Sequence, residues 1–196
     1  MLEKRYKFLI QKPDIKSLFS TYKCKLYDYT VVCLKSTFSY CRVESTRNRG
    51  KSAKYFYIEE RQLEHNTHDT FDRVEMNKKE ITYNEYIKYI LDLKNEDTHT
   101  FYRTRLYLNE SFNNIHVVEQ YVDILSFLDN VAILTIVVDQ ALEKIEIPPI
   151  LDVMTTITLN DFYSEYNMFK NNSKLKDKIN SDIRSHKIAC YNTDAK

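Results

Sequence analysis

Two-residue alternation, with charge gathered on one face of several segments, constrains this chain more than anything else in it. In residues 2–10 (LEKRYKFLI), Leu2, Tyr6, Phe8 and Ile10 fall on one side, interrupted by Lys4, while Glu3, Arg5 and Lys7 fall on the other. Period two is the signature of a β-strand. The pattern recurs with Arg103, Arg105 and Tyr107 opposite Thr104, Leu106 and Leu108, and with Glu119, Tyr121 and Asp123 opposite Val118, Gln120 and Val122. Arg73 shares a face with Glu75, and Arg42 with Tyr40 and Glu44. Two architectures accept such strands. One is an antiparallel sheet with a solvated side. The other is a closed barrel with its polar faces inward and no exposed edges. Inside a barrel each Arg or Lys needs a carboxylate partner or a bound anion, because an unpaired buried charge costs on the order of several kcal/mol. Glu59, Glu75 and Glu119 are the candidate internal partners. Phosphate is the natural external one, since a guanidinium matches its oxygens two at a time.

The rest of the chain fits an α+β reading. Strands are expected over 25–34, 38–45, 55–61, 71–76, 100–108, 115–124 and 131–138, and a short helical or irregular stretch over 13–22. Residues 82–94 predict a helix, with Thr82 and Glu85 as a capping box and Tyr83, Tyr86, Ile87, Ile90 and Leu91 as its apolar stripe. Residues 161–169 and 175–186 read as further helices. No repeat or low-complexity tract marks a boundary, so residues 1–170 are expected to form one domain, with 171–196 a helix and tail on it.

Composition excludes some function classes. The 29 basic and 28 acidic side chains leave a net charge of +1, so no global field draws the chain to nucleic acid or membrane. The loop holding Arg47, Arg49, Lys51 and Lys54 is the one basic cluster that makes RNA a conceivable partner. No apolar run approaches the roughly 20 residues that span a bilayer, and the first residues lack a signal peptide's apolar core. Cys24, Cys33, Cys41 and Cys190 have no paired spacing and read as free thiols of a cytoplasmic protein. His65 and His68, without a nearby third ligand, read as a solvated loop. A single glycine, Gly50, obliges turns to use Asn, Asp and Ser, as at Asn113-Asn114 and Asn171-Asn172.

Several of these segments resemble the CYTH family, the triphosphate tunnel enzymes that include class IV adenylate cyclases and thiamine or inorganic triphosphatases. Glu3-Lys4-Arg5-Tyr6-Lys7, followed by an apolar run, is similar to the family's opening E-x-E-x-K. Arg73-Val74-Glu75 resembles its R-x-E strand, Arg103-Thr104-Arg105-Leu106-Tyr107 its K-T-R-Y-Y strand, and the region of Arg42 its paired basic strand. Pro148-Pro149-Ile150-Leu151, leading to Thr156-Ile157-Thr158, resembles the closing signature, so the likeness runs over residues 2–170. It implies a closed antiparallel β-barrel with peripheral helices. Lys7, Arg42, Arg73, Arg103 and Arg105 would grip a phosphate chain there, and glutamates would hold Mg²⁺ or Mn²⁺ for phosphoryl transfer.

The acidic half of the pattern is depleted. Arg5 stands where the second glutamate of the opening motif belongs, Leu134-Thr135-Ile136-Val137 replaces A-E-I-E, Thr156 replaces the glutamate of E-V-T, and Glu59 replaces a lysine. Glu3, Glu75 and Glu119 remain as metal ligands, with Glu3 and Glu75 the catalytic candidates. The expectation is a module that binds a triphosphate, nucleotide or RNA 5′-triphosphate with weak or no catalysis. The alternatives are an active Mg²⁺- or Mn²⁺-dependent triphosphatase and a non-catalytic subunit that binds a protein partner through its tyrosines and C-terminal helix.

Overall fold

The computed structural model describes residues 2–22, 24–34, 40–47, 52–64, 68, 70–92, 99–108 and 116–193. Nine strands carry the fold: β1 Leu2–Gln11, β2 Cys24–Leu34, β3 Tyr40–Arg47, β4 Lys54–Gln62, β5 Asp72–Ile81, β6 His99–Leu108, β7 Val117–Leu125, β8 Val131–Val138 and β9 Val153–Thr156. Four helices accompany them: α1 Ile15–Thr21, α2 Tyr83–Asp92, α3 Glu165–Lys170 and α4 Asn172–Thr193, with a 3₁₀ turn at Asp161–Tyr163. The strands form one antiparallel sheet in the order β5-β4-β3-β2-β6-β7-β8-β1-β9.

This α+β sheet curls into a half-barrel and falls short of the closed cylinder expected from the sequence. One edge of β1 runs along β8 from Lys4 to Gln11. Its other edge meets β5 only over Leu2↔Glu75 to Arg5↔Asp72, then passes to β9 at Phe8. The wall is thus joined at one end of this seam and open along the rest. Two sequence features explain the mismatch. β9 is only four residues long and follows the Pro148-Pro149 interruption, so no strand signal preceded it, yet it takes the edge that full closure would need.

Apolar side chains divide by face. On the concave side Leu9, Val31, Phe101, Leu125 and Ile133 pack with Tyr163, Met168, Leu175 and Ile179 of the C-terminal segment, which stoppers one end of the half-barrel. On the convex side Tyr6, Ile10, Leu106, Val122, Leu134 and Ile136 pack with Leu18 of α1 and Leu151. Covered on both faces, β8 is buried at all eight positions, which is why VAILTIVV reads as a continuous apolar run instead of an alternation.

The capping box forms as expected. The Thr82 N–H donates to the Glu85 carboxylate at 2.7 Å and the Glu85 N–H donates to the Thr82 hydroxyl at 3.2 Å. Residues 161–169 are not one helix. Ser164 is extended (φ −69°, ψ 145°) and caps α3 by accepting from the Asn167 N–H, which separates α3 from the 3₁₀ turn. Asn171 closes α3 and α4 begins at Asn172, earlier than expected. Cys24 is a free thiol, and His68 lies in an exposed turn. His65, Asn113-Asn114, Arg49 and Lys51 lie outside the described residues.

Candidate functional site

Alternation aims one face of each central strand at the concave side. At the stoppered end that face is apolar. Toward the other end it turns charged, and a cavity of about 540 Å³ opens there. Its walls include Glu3, Arg5 and Lys7 of β1, Glu60 of β4, Lys78 of β5, Arg103, Arg105 and Tyr107 of β6, and Glu119, Tyr121 and Asp123 of β7. Tyr163, Ser164, Glu165 and Tyr166 close it from the C-terminal segment. Thr135 and Val137 line it from β8, at the two positions where the family-like pattern has carboxylates and this chain does not.

Of the expected phosphate ligands, Lys7, Arg103 and Arg105 come together in this cavity. Arg73 and Glu75 do not. They alternate with Asp72 and Val74, whose side chains are buried, and neither lines the cavity; Glu75 is exposed and sits opposite Leu2 in register. Arg42 lies in β3, paired with Cys33 and Ile58, and its side chain is outside the described residues. Reading Arg73 and Glu75 as one face was right, but nothing local to that segment says which face of β5 turns inward.

Arg5, Lys7, Arg103 and Arg105 each have a carboxylate beside them. Arg5, 6% exposed, donates from Nε to Glu3 at 2.8 Å and from Nη1 to Glu60 at 2.7 Å. Lys7 Nζ stands 3.4 Å from Asp72. Arg105 grips Asp123 with two bonds of 2.6 Å, and its guanidinium lies 3.7 Å from the centre of the Tyr121 ring. Arg103 donates from Nη1 to Glu165 at 2.8 Å and lies 4.4 Å over the Tyr29 ring. For these four bases the partners proposed from sequence, Glu59, Glu75 and Glu119, are not the ones used. Glu59 accepts from the Tyr57 hydroxyl, while its neighbour Glu60, one step along the strand and hence on the other face, takes the inward role.

These contacts fix the charge states. Burial pulls the Arg5 and Arg105 guanidinium groups toward neutrality, but Glu60 and Glu3, and Asp123, outweigh it and hold both far above any physiological pH. Burial also raises the phenols of Tyr29 and Tyr121, so these two stay neutral. Glu119 makes no ion pair within the described residues; burial, with Glu3 nearby, raises its carboxyl above the ordinary value despite the pull of Arg105 and Arg5. Six carboxylates and five bases line the cavity among the described residues, so its interior is compensated and not a cationic tunnel.

Asp72 ties the site to the frame. Besides meeting Lys7, it accepts the Leu159 N–H at 2.8 Å. Leu159 holds φ at 62°, in the left-handed region where a glycine is usual. The turn that carries the chain from β9 toward Glu165 is thereby pinned to β1 and β5.

The three carboxylates proposed for Mg²⁺ or Mn²⁺ do not form one ligand set. Glu3 is engaged by Arg5, Glu119 belongs to β7, and Glu75 does not line the cavity. Among the described residues no three His, Cys, Asp or Glu side chains converge where an ion would sit, and no catalytic step through a metal follows from them. No helix among the described residues is long and apolar enough to cross a membrane.

No protein-family model matches the sequence, and no curated protein matches it. Solved structures do. A chain of the Schizosaccharomyces pombe Mediator head module superposes with a TM-score of 0.50 over 74% of this chain and 86% of that one, at 14% identity. At that identity the likeness is one of fold alone.

Proposed function

We propose that the chain is a non-catalytic binding module whose half-barrel cavity takes a phosphate-bearing anion, a triphosphate or a nucleotide, in exchange for carboxylates of its own walls. The observation that carries this reading is the convergence of Arg5, Lys7, Arg103 and Arg105 from two strands on one cavity of about 540 Å³. A buried guanidinium must be paired with something. Internal carboxylates meet that need, and a phosphate chain, with more charge and more acceptor oxygens, competes for the same donors. Compensation makes the binding weak and metal-independent. The reading rests on the CYTH-like motifs as well, and it departs from that family in having no metal-dependent step.

Thermal unfolding with sodium tripolyphosphate, ATP and chloride-matched controls, each with and without Mn²⁺, tests it. A ligand that prefers the native state raises the melting temperature. A rise with polyphosphate that Mn²⁺ does not increase is expected. No rise at millimolar ligand ends the proposal, and a rise confined to the Mn²⁺ samples favours the triphosphatase alternative.

A second reading has its own observation. Tyr83 and Leu91 on α2 and Tyr102 on β6 are 56%, 59% and 66% exposed, and Tyr89, also exposed, stacks on Tyr57. Exposed aromatics of this kind are common where proteins meet. The similar chain belongs to a Mediator head module, which makes a subunit role worth testing here. The native mass of the chain in extract of its own cells should then lie several-fold above 23.5 kDa; a clean monomer removes this reading.

A further inference from the structure

Resting on the phosphate reading, we propose that Glu165 is an internal ligand of Arg103, covering an anion seat that a phosphate enters by displacing the Glu165 carboxylate. Arg103 is among the largest fully buried side chains, 1% exposed, and among the described residues two carboxylates stand near its guanidinium. They are not equivalent. Asp123 stands 4.0 Å from Arg103 Nε and is committed to Arg105 through two bonds of 2.6 Å. Glu165 makes the short contact, 2.8 Å to Nη1, is 20% exposed, and has Arg103 as its ion-pair partner.

What holds Glu165 in place is its backbone. Ser164 caps α3 before it, and Met168, fully buried in the concave core, anchors α3 behind it. The side chain itself carries three torsions and faces the cavity, so it can swing aside with no unfolding of the C-terminal segment. The guanidinium left behind remains seated over Tyr29, with the Nη1 donor that Glu165 held now open to a phosphate oxygen. Asp123 cannot follow to refill the seat without giving up Arg105. Phosphate is favoured over a monocarboxylate because it brings more charge to the same guanidinium, with Arg5 and Lys7 in the same cavity for the next phosphate of a chain.

Glu165→Gln keeps the shape and removes the charge. Calorimetric titration of the full chain with sodium tripolyphosphate should show affinity rising about tenfold over the parent, the scale of one charge-assisted hydrogen bond freed. Adding Arg103→Lys, which keeps a cation but loses the guanidinium, should abolish that gain; the unliganded melting temperature reports whether each variant is folded. If Glu165→Gln itself fails to fold, Glu165→Asp, which retracts the carboxylate by one methylene, takes its place with a smaller gain expected. If the parent binds tripolyphosphate and the Glu165 variant binds no tighter, or if the gain survives Arg103→Lys, the exchange at Glu165 is wrong while the phosphate reading stands. If neither binds, both fall.

Discussion

Arg103 and Arg105 lie two residues apart on one face of one strand, yet they are held in different ways. Arg105 pairs with Asp123, directly opposite it on the neighbouring strand, through a two-bond grip that the sheet register alone supplies. Arg103 reaches to Glu165, 62 residues away, on a helix anchored by Met168 in the concave core. The first pair is a property of the wall. The second is a property of how the wall is stoppered. Similar chemistry in sequence therefore serves two purposes: one arginine stiffens the sheet, and the other fastens the chain's end to it.

That contrast can be broken by mutation. Arg103→Ala is expected to cost the most, roughly 3–5 kcal/mol in urea unfolding, because it strands Glu165 and weakens the surroundings of Asp123 in a buried setting. Arg105→Ala should cost less, about 1–3 kcal/mol, since Asp123 keeps Arg103 nearby and the Arg105 side chain is 14% exposed. Equal losses would mean that the two sites are one network. Leu159→Gly probes the turn leading to Glu165 and should stabilise the chain by about 0.5–1 kcal/mol, the relief of a left-handed residue less the added freedom of glycine when unfolded. A loss of stability there would show that the Leu159 side chain matters more than its backbone.

The smallest effect concerns Glu119. Glu119 is exposed as a residue, yet partial desolvation of its carboxyl raises it above the ordinary 4.5. Stability tied to that proton is fully present below the unfolded value and is lost as pH rises through the folded one. Glu119→Gln should thus melt slightly higher than the parent near neutral pH and equally at about pH 4. A variant that melts lower near neutral pH would mean that the ionised carboxylate is wanted, against the burial argument.

Much of the wall was legible in the sequence. The alternation in residues 2–10 correctly set Glu3, Arg5 and Lys7 apart from Tyr6, Phe8 and Ile10, and the same logic placed Arg103 with Arg105 and Tyr121 with Asp123. Phase was the harder problem. Period two says which residues share a face, not which face is inside, so Arg73 and Glu75 were grouped correctly and assigned to the wrong side. Glu59 and Glu60 differ by a single step, and only the register with β5 decides between them. Glu165, Asp72 and Glu60 could not have been paired with their bases from spacing, because those contacts span 55 residues or more. The nearest signal was negative: too few carboxylates in the family-like positions to balance the arginines, which in the sequence reads as room for a bound anion.

The short contact between the first and fifth strands has a mechanical consequence. Four residue pairs are a latch rather than a weld, whereas the first and eighth strands are zipped over eight. Amides of residues 2–5 that bond across the latch should exchange with deuterated solvent sooner than those facing the eighth strand, and the chain's opening residues become the place where the wall can part to admit something larger than the cavity's resting mouth.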